Sequence, residues 1–464
     1  MNASITVSPR HKPVLDPGFL PAALWNQAYR KLAANGGSKL AIALERSNGH
    51  VSAYHTEMLA DKPENRELTL KYAERIVKYL LWMKGGCKIY IGGCEWLARE
   101  LSSIYSEKGA RGFDWSIMGD KIYGRTLEVV SCKYEETPKT KESGVPLGRN
   151  FDGCRIGFDL GGSDRKCAAV IDGKVVFSEE ITWDPYFQKD PQWHKDGINE
   201  TLKRAASHMP RVDAIGGSAA GVYVDNQVRV ASLFRGVSET DFKNRVRGLF
   251  IELQKEWKVP FVVVNDGEVT ALAGSLEMND NAVLGISMGT SMAGGYVTPD
   301  GKITDWLNEL AFAPIDYRDD APADEWSGDR GCGVQYFSQQ GVARLAKAAG
   351  IPFDEKTPLP ERLVEVQKLM AAGDARAAKI YETIGVCFGY ALAHYAEFYE
   401  VRNLLILGRV TSGAGGDLIL SVAEKVLRDE FPALASKLQF RTPDEKNKRH
   451  GQAVAAASLP SIKK

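Results

Sequence analysis

Two stretches of the sequence follow the same pattern of apolar strands and glycine turns at a constant separation of 128 residues. "GFDLGGSDRKCAAVIDGKVVF" and "GISMGTSMAGGYVTPDGKIT" each read as a strand, a glycine turn, a strand, an Asp-Gly turn and a strand. Alignment of Asp159 with Ser287 places Gly161 on Gly289, Ser163 on Ser291 and Asp172-Gly173-Lys174 on Asp300-Gly301-Lys302, without a gap. A repeated β-meander in one register indicates a duplicated domain, so we expect two similar α/β lobes around a cleft.

The regions outside the meanders complete the predicted organisation. Helix and strand patterns alternate between them, and the polar stretch from Tyr134 to Asn150 has the composition of a linker. We therefore expect an extra N-terminal α/β module over residues 1–148, a small lobe over 149–278 and a large lobe over 279–464, with the last helix packing back on the small lobe. Within the module, Ser47-Asn48-Gly49 joins two alternating runs and predicts a hairpin.

Composition excludes several classes of protein. Hydrophobic residues are 44% and charged residues 25% of the 464, which is typical of a globular protein. Lys+Arg and Asp+Glu are both 59, so no overall field attracts nucleic acid or an anionic membrane, and neither partner is expected. No apolar stretch has the length of a signal peptide or a bilayer span. The seven cysteines form no CxxC pair, which favours a reduced, cytoplasmic protein.

Polar residues at strand ends are the candidates for chemistry. Asp159 ends an apolar strand before a Gly-Gly-Ser turn, and Asn265-Asp266 follow the strand "VPFVVV". In open α/β sheets, ligands bind outside the carboxyl ends of the strands. A third glycine-rich turn lies within "LLILGRVTSGAGG", and backbone N–H groups in such turns can surround an anion. GxxxxGK[ST] and GxGxxG after a strand are absent, so the pattern indicates a nucleotide with Mg²⁺ held by another kind of loop.

The motifs "IGFDLGGSDRK", "VVVNDGEVTALAG", "GISMGTSMAGG" and "LILGRVTSGAGG" occur in the order and spacing of the sugar kinase, heat-shock ATPase and actin superfamily. Within it, the sequence resembles the ROK family (repressor, open reading frame, kinase), which includes bacterial glucokinases. The resemblance covers about residues 154–460 and leaves the first 150 outside. It implies a duplicated ribonuclease-H-like fold of the actin and hexokinase type, and an ATP- and Mg²⁺-dependent carbohydrate kinase that forms a homodimer in some members.

The resemblance also implies roles for individual residues. Asp266 is the general base, and Asn265, Glu309 and Gln335 bind the sugar or polyol substrate. Asp159 holds Mg²⁺ through water. The nucleotide is bound by Gly161, Gly162 and Ser163 in the first phosphate loop, by Gly289, Thr290 and Ser291 in the second, and by Gly408, Ser412 and Gly413 at adenosine.

The sequence departs from the family pattern at several of these positions. Phe312 stands where the family has a His, and Gln335 stands where it has a Glu. Of the three zinc-binding cysteines only Cys332 is present, with Glu325 and Ser327 at the other two positions, so we expect no zinc site. Asp164 and Arg409 replace a common Lys and Gly near the two ends of the nucleotide site. Glucose is therefore a poor candidate substrate.

Two alternatives stay open. ROK repressors carry an N-terminal winged helix, but this N-terminal module predicts strands and lacks a Lys/Arg-rich recognition helix. A catalytically silent sugar- or nucleotide-binding protein is favoured by Asp164 and Arg409 and opposed by Asn265-Asp266. The aromatic stretch "TWDPYFQKDPQWHKDG", residues 182–197, is expected to cover the extra module, with a place at the mouth of the substrate site as the alternative. The substrate, the phosphorylated position, the oligomer and the role of the first 150 residues do not follow from the sequence.

Overall fold

The computed structural model describes residues 5–142, 148–354, 356–441 and 448–462. Three sheets of four or five strands organise them, one in the N-terminal module and one in each lobe. In this part of the chain, no helix is both long enough and apolar enough to cross a bilayer.

The N-terminal module is a four-stranded mixed sheet with helices packed against it. Its elements are α1 (Ala22–Ala33), β1 (Ser38–Glu45), β2 (Val51–Met58), α2 (Arg66–Lys84), β3 (Lys88–Gly92), α3 (Glu95–Ile104), α4 (Gly112–Ser116) and β4 (Glu128–Cys132). The strand order is β2-β1-β3-β4, with β1 antiparallel to β2 and β3, and β3 parallel to β4. The predicted turn at Asn48 joins β1 to β2, with Gly49 at a φ of +78° that favours glycine.

The small lobe contains the first meander. Its elements are β5 (Cys154–Leu160), β6 (Asp164–Ile171), β7 (Lys174–Thr182), α5 (Pro191–Ala206), β8 (Ala214–Ala219), β9 (Val222–Val224), β10 (Gln227–Val230), α6 (Glu239–Asp241), α7 (Leu249–Trp257), β11 (Phe261–Asn265) and α8 (Asp266–Met278). The sheet order is β11-β8-β5-β6-β7, in which β5, β8 and β11 are parallel and the meander strands are antiparallel.

The large lobe repeats this arrangement in part, because the third strand predicted for the second meander is reduced to an isolated bridge between Val297 and Ile303. Its elements are β12 (Val283–Met288), β13 (Met292–Val297), α9 (Gln339–Ala348), α10 (Leu359–Ala371), α11 (Ala375–Tyr395), β14 (Asn403–Leu407), α12 (Gly413–Glu430), α13 (Pro432–Ala435), β15 (Gln439–Arg441) and α14 (Lys448–Ala457). The order β13-β12-β14-β15 places β12 between its antiparallel meander partner and parallel β14. The two meanders lie in separate sheets, which confirms the predicted duplicated α/β fold.

The N-terminal module shares one hydrophobic core with the large lobe. Trp25 of α1 packs edge-on against Tyr317, with 5.4 Å between ring centroids, and Tyr79 of α2 lies 4.4 Å from His394 of α11. The side chains of the small lobe sheet form a different cluster, centred on residues such as Phe158. The module is therefore built onto the large lobe rather than attached only through the linker.

The last helix crosses to the small lobe. A Cβ atom placed on Gly157 of β5 would lie 1.6 Å from the carbonyl oxygen of Ala453, and one on Gly216 of β8 would lie 1.7 Å from that of Ala456. Only glycine permits such a close approach of helix backbone to sheet. Helix α14 thus covers part of one face of the small lobe sheet.

Candidate active site between the two lobes

Asp159 lies near the carboxyl end of β5, where it is 5% exposed. The parallel register of β5 and β8 places it beside Ser218, whose Oγ donates a 2.6 Å hydrogen bond to Asp159 Oδ1. Lys166 Nζ lies 3.7 Å from Oδ2 of the same carboxyl and 2.9 Å from Asp164 Oδ1. Burial raises the pKa of Asp159 above its ordinary value, although Ser218 and Lys166 oppose that shift.

The first phosphate loop, Gly161 to Ser163, is fixed by aromatic residues that follow β7. Trp183 Nε1 donates a 2.8 Å hydrogen bond to the carbonyl of Gly161, and the Trp183 amide donates to the carbonyl of Ser163 at 3.1 Å. A Cβ on Gly162 would lie 2.0 Å from the Tyr186 hydroxyl. This segment was expected to cover the N-terminal module, and that expectation is wrong for Trp183 and Tyr186, which instead pack on the loop.

The second phosphate loop meets the third glycine turn because β12 and β14 are parallel neighbours. Gly289 donates its amide to the carbonyl of Ser291 at 2.8 Å across the turn that contains Thr290. Gly408, with a φ of +101°, directly follows β14, and a Cβ there would lie 2.3 Å from the carbonyl oxygen of Met288. The two turns therefore share one edge of the large lobe sheet.

Ser412 and Gly413 stand at the start of α12 and line a cavity of about 280 Å³. Gln367 and Met370 of α10 and Gly415 of α12 form other parts of its wall. Gln367 Nε2 donates to the carbonyl of Arg409 at 2.8 Å, which fixes the turn against α10. The position beside the second phosphate loop, together with this size, suits a flat heterocycle.

Asn265 and Asp266 lie at the junction of β11 and α8, on the small lobe side of the cleft. Asn265 Oδ1 accepts a 2.7 Å hydrogen bond from the Gly267 amide and so caps the helix, while its Nδ2 donates to the carbonyl of Gly221 at 2.7 Å. Burial, and then the negative charge of Asp159, raise the pKa of Asp266 to about 6. The carboxyls of Asp159 and Asp266 therefore lie close enough for the charge of Asp159 to affect the pKa of Asp266.

Glu309 is the third carboxyl of this group. Burial, and then the charge of Asp266, raise its pKa to about 7. Its backbone amide donates a 3.0 Å hydrogen bond to the carbonyl of Trp82 in α2 of the N-terminal module. Phe312, where the family has a His, packs on the Trp82 ring with 4.5 Å between centroids. The module therefore holds the segment that carries Glu309.

Gln335 has different surroundings. It is 6% exposed, its Nε2 donates to Gln340 Oε1 at 2.9 Å, and its carbonyl accepts from Arg344 at 3.3 Å. These contacts lie on the α9 side, and in the described part of the chain no hydrogen bond joins Gln335 to Asn265 or Asp266. Its role in substrate binding stays a prediction.

A lysine of the N-terminal module, Lys78, lies near Cys332, the one cysteine that remains of the zinc motif implied by the family resemblance. Cys332 Sγ lies 3.4 Å from Asp329 Oδ2, and the fully buried Lys78 Nζ lies 2.9 Å from the same oxygen. Burial, and then Asp329, raise the pKa of the Cys332 thiol well above its ordinary value. Over residues 5–142, 148–354, 356–441 and 448–462, no three His, Cys, Asp or Glu side chains are grouped to hold a metal ion.

Solved structures show which fold this is. A ROK hexokinase from Thermus thermophilus matches over 66% of this chain and 97% of its own, with 17% identity and a TM-score of 0.52. A ROK family transcriptional regulator, described as a homologue of the E. coli MLC protein, matches over 67% of this chain and 78% of its own, with 17% identity and a TM-score of 0.54. The chain has the ROK fold.

The ROK fold is the actin- and hexokinase-like architecture that the sequence motifs implied. The sequence itself matches no family model, and a search of curated proteins finds no significant match. At 17% identity, the structural likeness to a kinase and to a regulator establishes the shared ROK fold and leaves the activity to the chemistry of the site.

Proposed function

We propose that the protein is an ATP- and Mg²⁺-dependent kinase that transfers the γ-phosphoryl group to a hydroxyl of a sugar or sugar-like polyol. The observation that carries the proposal is the placement of Asp266 at the end of a parallel strand, close enough to Asp159 for the charge of one to raise the pKa of the other. In phosphoryl transfer, one carboxylate accepts the proton of the attacking hydroxyl and another holds Mg²⁺ at the phosphates. Asp266 and Asp159 would supply these two carboxylates in one cleft.

Asp266 acts as the general base. A pKa of about 6 leaves it ionised at neutral pH, yet basic enough to accept a proton from an attacking hydroxyl. Asn265 is fixed through both ends of its amide, to Gly267 and to Gly221, so it presents a rigid edge to the acceptor. Positioning by such residues supplies a large share of the rate in phosphoryl transfer.

The glycine turns hold the nucleotide. A Cβ on Gly161 would meet the carbonyl oxygen of Asp164 at 3.2 Å, and one on Gly289 would meet that of Ser291 at 3.6 Å, so neither turn is severely crowded by protein. Neither residue has the positive φ that favours glycine. The amides of Gly161 and Gly289 donate within their own turns, so the absence of their side chains would serve to let phosphate oxygens approach other backbone N–H groups of each loop. Mg²⁺, when bound, neutralises phosphate charge, and Asp159 would hold it through water.

The seven cysteines are all free thiols, which supports a reducing, cytoplasmic location for this reaction.

A second candidate is a non-catalytic sugar or nucleotide sensor. The observation in its favour is the pairing of Lys166 with both Asp164 and Asp159, which neutralises the carboxylate assigned to Mg²⁺. The structural likeness extends to a ROK transcriptional regulator as well as to a hexokinase.

An ATP-coupled assay across sugars, amino sugars and cyclitols separates these functions. We expect one acceptor class to stimulate ATP turnover, and Asp266→Asn to reduce that turnover by about 10²–10⁴-fold with ATP affinity retained, because only the proton acceptor is lost. Wild-type protein that binds a sugar without turning over ATP would favour the sensor. Wild-type turnover in Asp266→Asn would show that the base is another residue.

A further inference from the structure

A cavity of about 430 Å³ lies where the N-terminal module, the small lobe and the large lobe meet. On the small lobe side it is lined by Asn265 and Tyr223. Burial, and then the charge of Asp266, raise the pKa of Tyr223, so this wall adjoins the proposed base. The cavity therefore includes Asn265, the residue assigned to the acceptor, and its lining contains no residue of the two phosphate loops.

The opposite wall comes from the β1–β2 turn of the N-terminal module. His50 Nδ1 lies 2.6 Å from Asp305 Oδ2, and Asn48 Nδ2 donates to the same oxygen at 3.1 Å. Beneath them the buried guanidinium of Arg46 donates to Asp305 at 3.2 Å and to Glu142 at 2.6 Å. The turn is thus fixed against the large lobe by a network of charged hydrogen bonds, with the side chains of Asn48 and His50 on the cavity.

Several polar atoms around the cavity lack partners. Tyr123 and Glu268 are 5% and 4% exposed, and the Tyr123 hydroxyl and Glu268 Oε2 have no hydrogen-bond partner among the residues that the structure describes. Asp305 Oδ1 likewise has no hydrogen-bond partner among the residues that the structure describes. Buried polar groups in native proteins are nearly always paired, so these atoms beside a cavity are suited to hydrogen bonds with water or with a bound ligand.

The residues that line the cavity favour one class of ligand. Hydroxyl groups both donate and accept, so one polyhydroxylated molecule can serve the two carboxyls and the Tyr123 hydroxyl after small side-chain adjustments. The ring of Tyr223 also lines the cavity and offers an apolar surface for a sugar ring. Asp305 and Asp225 place two carboxylates on the wall, and the guanidinium of Arg46 already makes its hydrogen bonds inside the protein, which disfavours an anionic ligand.

We propose that the N-terminal module forms one wall of the acceptor site, with Asn48, His50 and Tyr123 as specificity-determining residues for a neutral, polyhydroxylated acceptor. This inference rests on the proposed kinase function. It assigns a role to the part of the chain for which the sequence offered none: the module contacts the portion of the acceptor distal to the phosphorylated hydroxyl.

The test compares matched variants of the full chain. Tyr123→Phe and Tyr79→Phe each remove a buried hydroxyl of the module that lacks a partner among the described residues, but only Tyr123 lines the cavity. His50→Ala and His55→Ala each remove an imidazole from the β1–β2 hairpin, but His55 faces away from the cavity and lies beside Tyr134. The probes are glucose, N-acetylglucosamine, maltose and myo-inositol, with glucuronate and glucose 6-phosphate as anionic comparators.

We expect Tyr123→Phe and His50→Ala to raise the acceptor KM, or the Kd measured by calorimetry, about two- to tenfold each, as for loss of one hydrogen bond. The kcat, the ATP KM and both control variants should stay near wild type. Unchanged acceptor affinity in Tyr123→Phe and His50→Ala would overturn the inference, as would preference for the anionic comparators or failure to bind any neutral probe. Binding that depends on these residues without ATP turnover would support the wall and refute the kinase.

Discussion

Lys78 of the N-terminal module forms an ion pair with Asp329 of the large lobe, with 2.9 Å between Nζ and Oδ2. A second ion pair joins Lys78 to Asp114 at 2.8 Å, and the lysine side chain is completely buried. Burial alone would lower the pKa of Lys78, but Asp114 and Asp329 outweigh it and raise that pKa. A protonated lysine thus holds the segment of Asp329 and ties it to the module.

Lys78→Met should destabilise the protein by about 3–5 kcal/mol, because it leaves the buried carboxylate of Asp114 without its cation, whereas Asp329 keeps its ion pair with Arg111. The control is Lys71→Met, since Lys71 pairs with the exposed Asp319 and such a surface pair contributes about 0–1 kcal/mol. Denaturant unfolding monitored by tryptophan fluorescence measures both. Equal losses in the two variants would contradict the role of Lys78.

Trp183→Phe should weaken nucleotide binding. The substitution removes the hydrogen bond to the Gly161 carbonyl and lets the first phosphate loop relax, so we expect the ATP KM to rise about two- to tenfold. Trp193→Phe is the control, because the Trp193 ring stacks on Trp183 at 5.8 Å and lies farther from the loop. A rise in the acceptor KM with an unchanged ATP KM would be evidence against this assignment.

The pH dependence of turnover should report the proposed base. Asp266 must be deprotonated to accept a proton, and its pKa is raised to about 6, so kcat/KM for the acceptor should climb up to tenfold per pH unit below 6 and level off above it. A profile measured from pH 5 to 8 with saturating ATP and the acceptor well below its KM tests this. Turnover that already reaches its plateau at pH 5 would contradict a base with a raised pKa.

Glu268→Gln should reduce the dependence of stability on pH. Burial raises the pKa of Glu268 to about 8, so between pH 4.5 and 8 the folded protein retains a proton that the unfolded chain has lost, and this group destabilises the fold increasingly as pH rises. The glutamine cannot ionise and still accepts from Asn308. Melting temperatures at pH 5 and pH 8.5 should therefore differ less in this variant than in wild type or in the exposed control Glu135→Gln.

The sequence predicted the parts of the fold that local patterns specify. The turns at Gly161 and Gly289 and the offset between the meanders are properties of short stretches, and the structure confirms two sheets of related topology. The strand-end position of Asp266 is likewise a local property. What these residues bind could not be decided from local patterns and stays a proposal.

The contacts of the N-terminal module with the large lobe could not be predicted from local sequence patterns. The hydrogen bond from Glu309 to Trp82 and the pair between His50 and Asp305 join residues more than 200 positions apart, and nothing in either stretch signals the other. Phe312 illustrates the point. It was a departure from a family pattern in the sequence, and in the structure it is half of an aromatic contact across that interface. The packing of Tyr186 on Gly162 is a contact within the small lobe, and it was missed because nothing in either stretch signals the other.

Helix α14 has a consequence for how the chain is made. The strands of the small lobe sheet are complete once Asn265 has been synthesised, but the helix whose backbone lies on Gly157 and Gly216 begins only at Lys448. During translation, part of one face of the small lobe sheet stays open to water or to chaperones. Its covering helix leaves the ribosome only after the strands of the large lobe have been made. The proposed base at Asp266 is therefore made early, and the lobe around it is closed by a segment that is synthesised only after the strands of the large lobe.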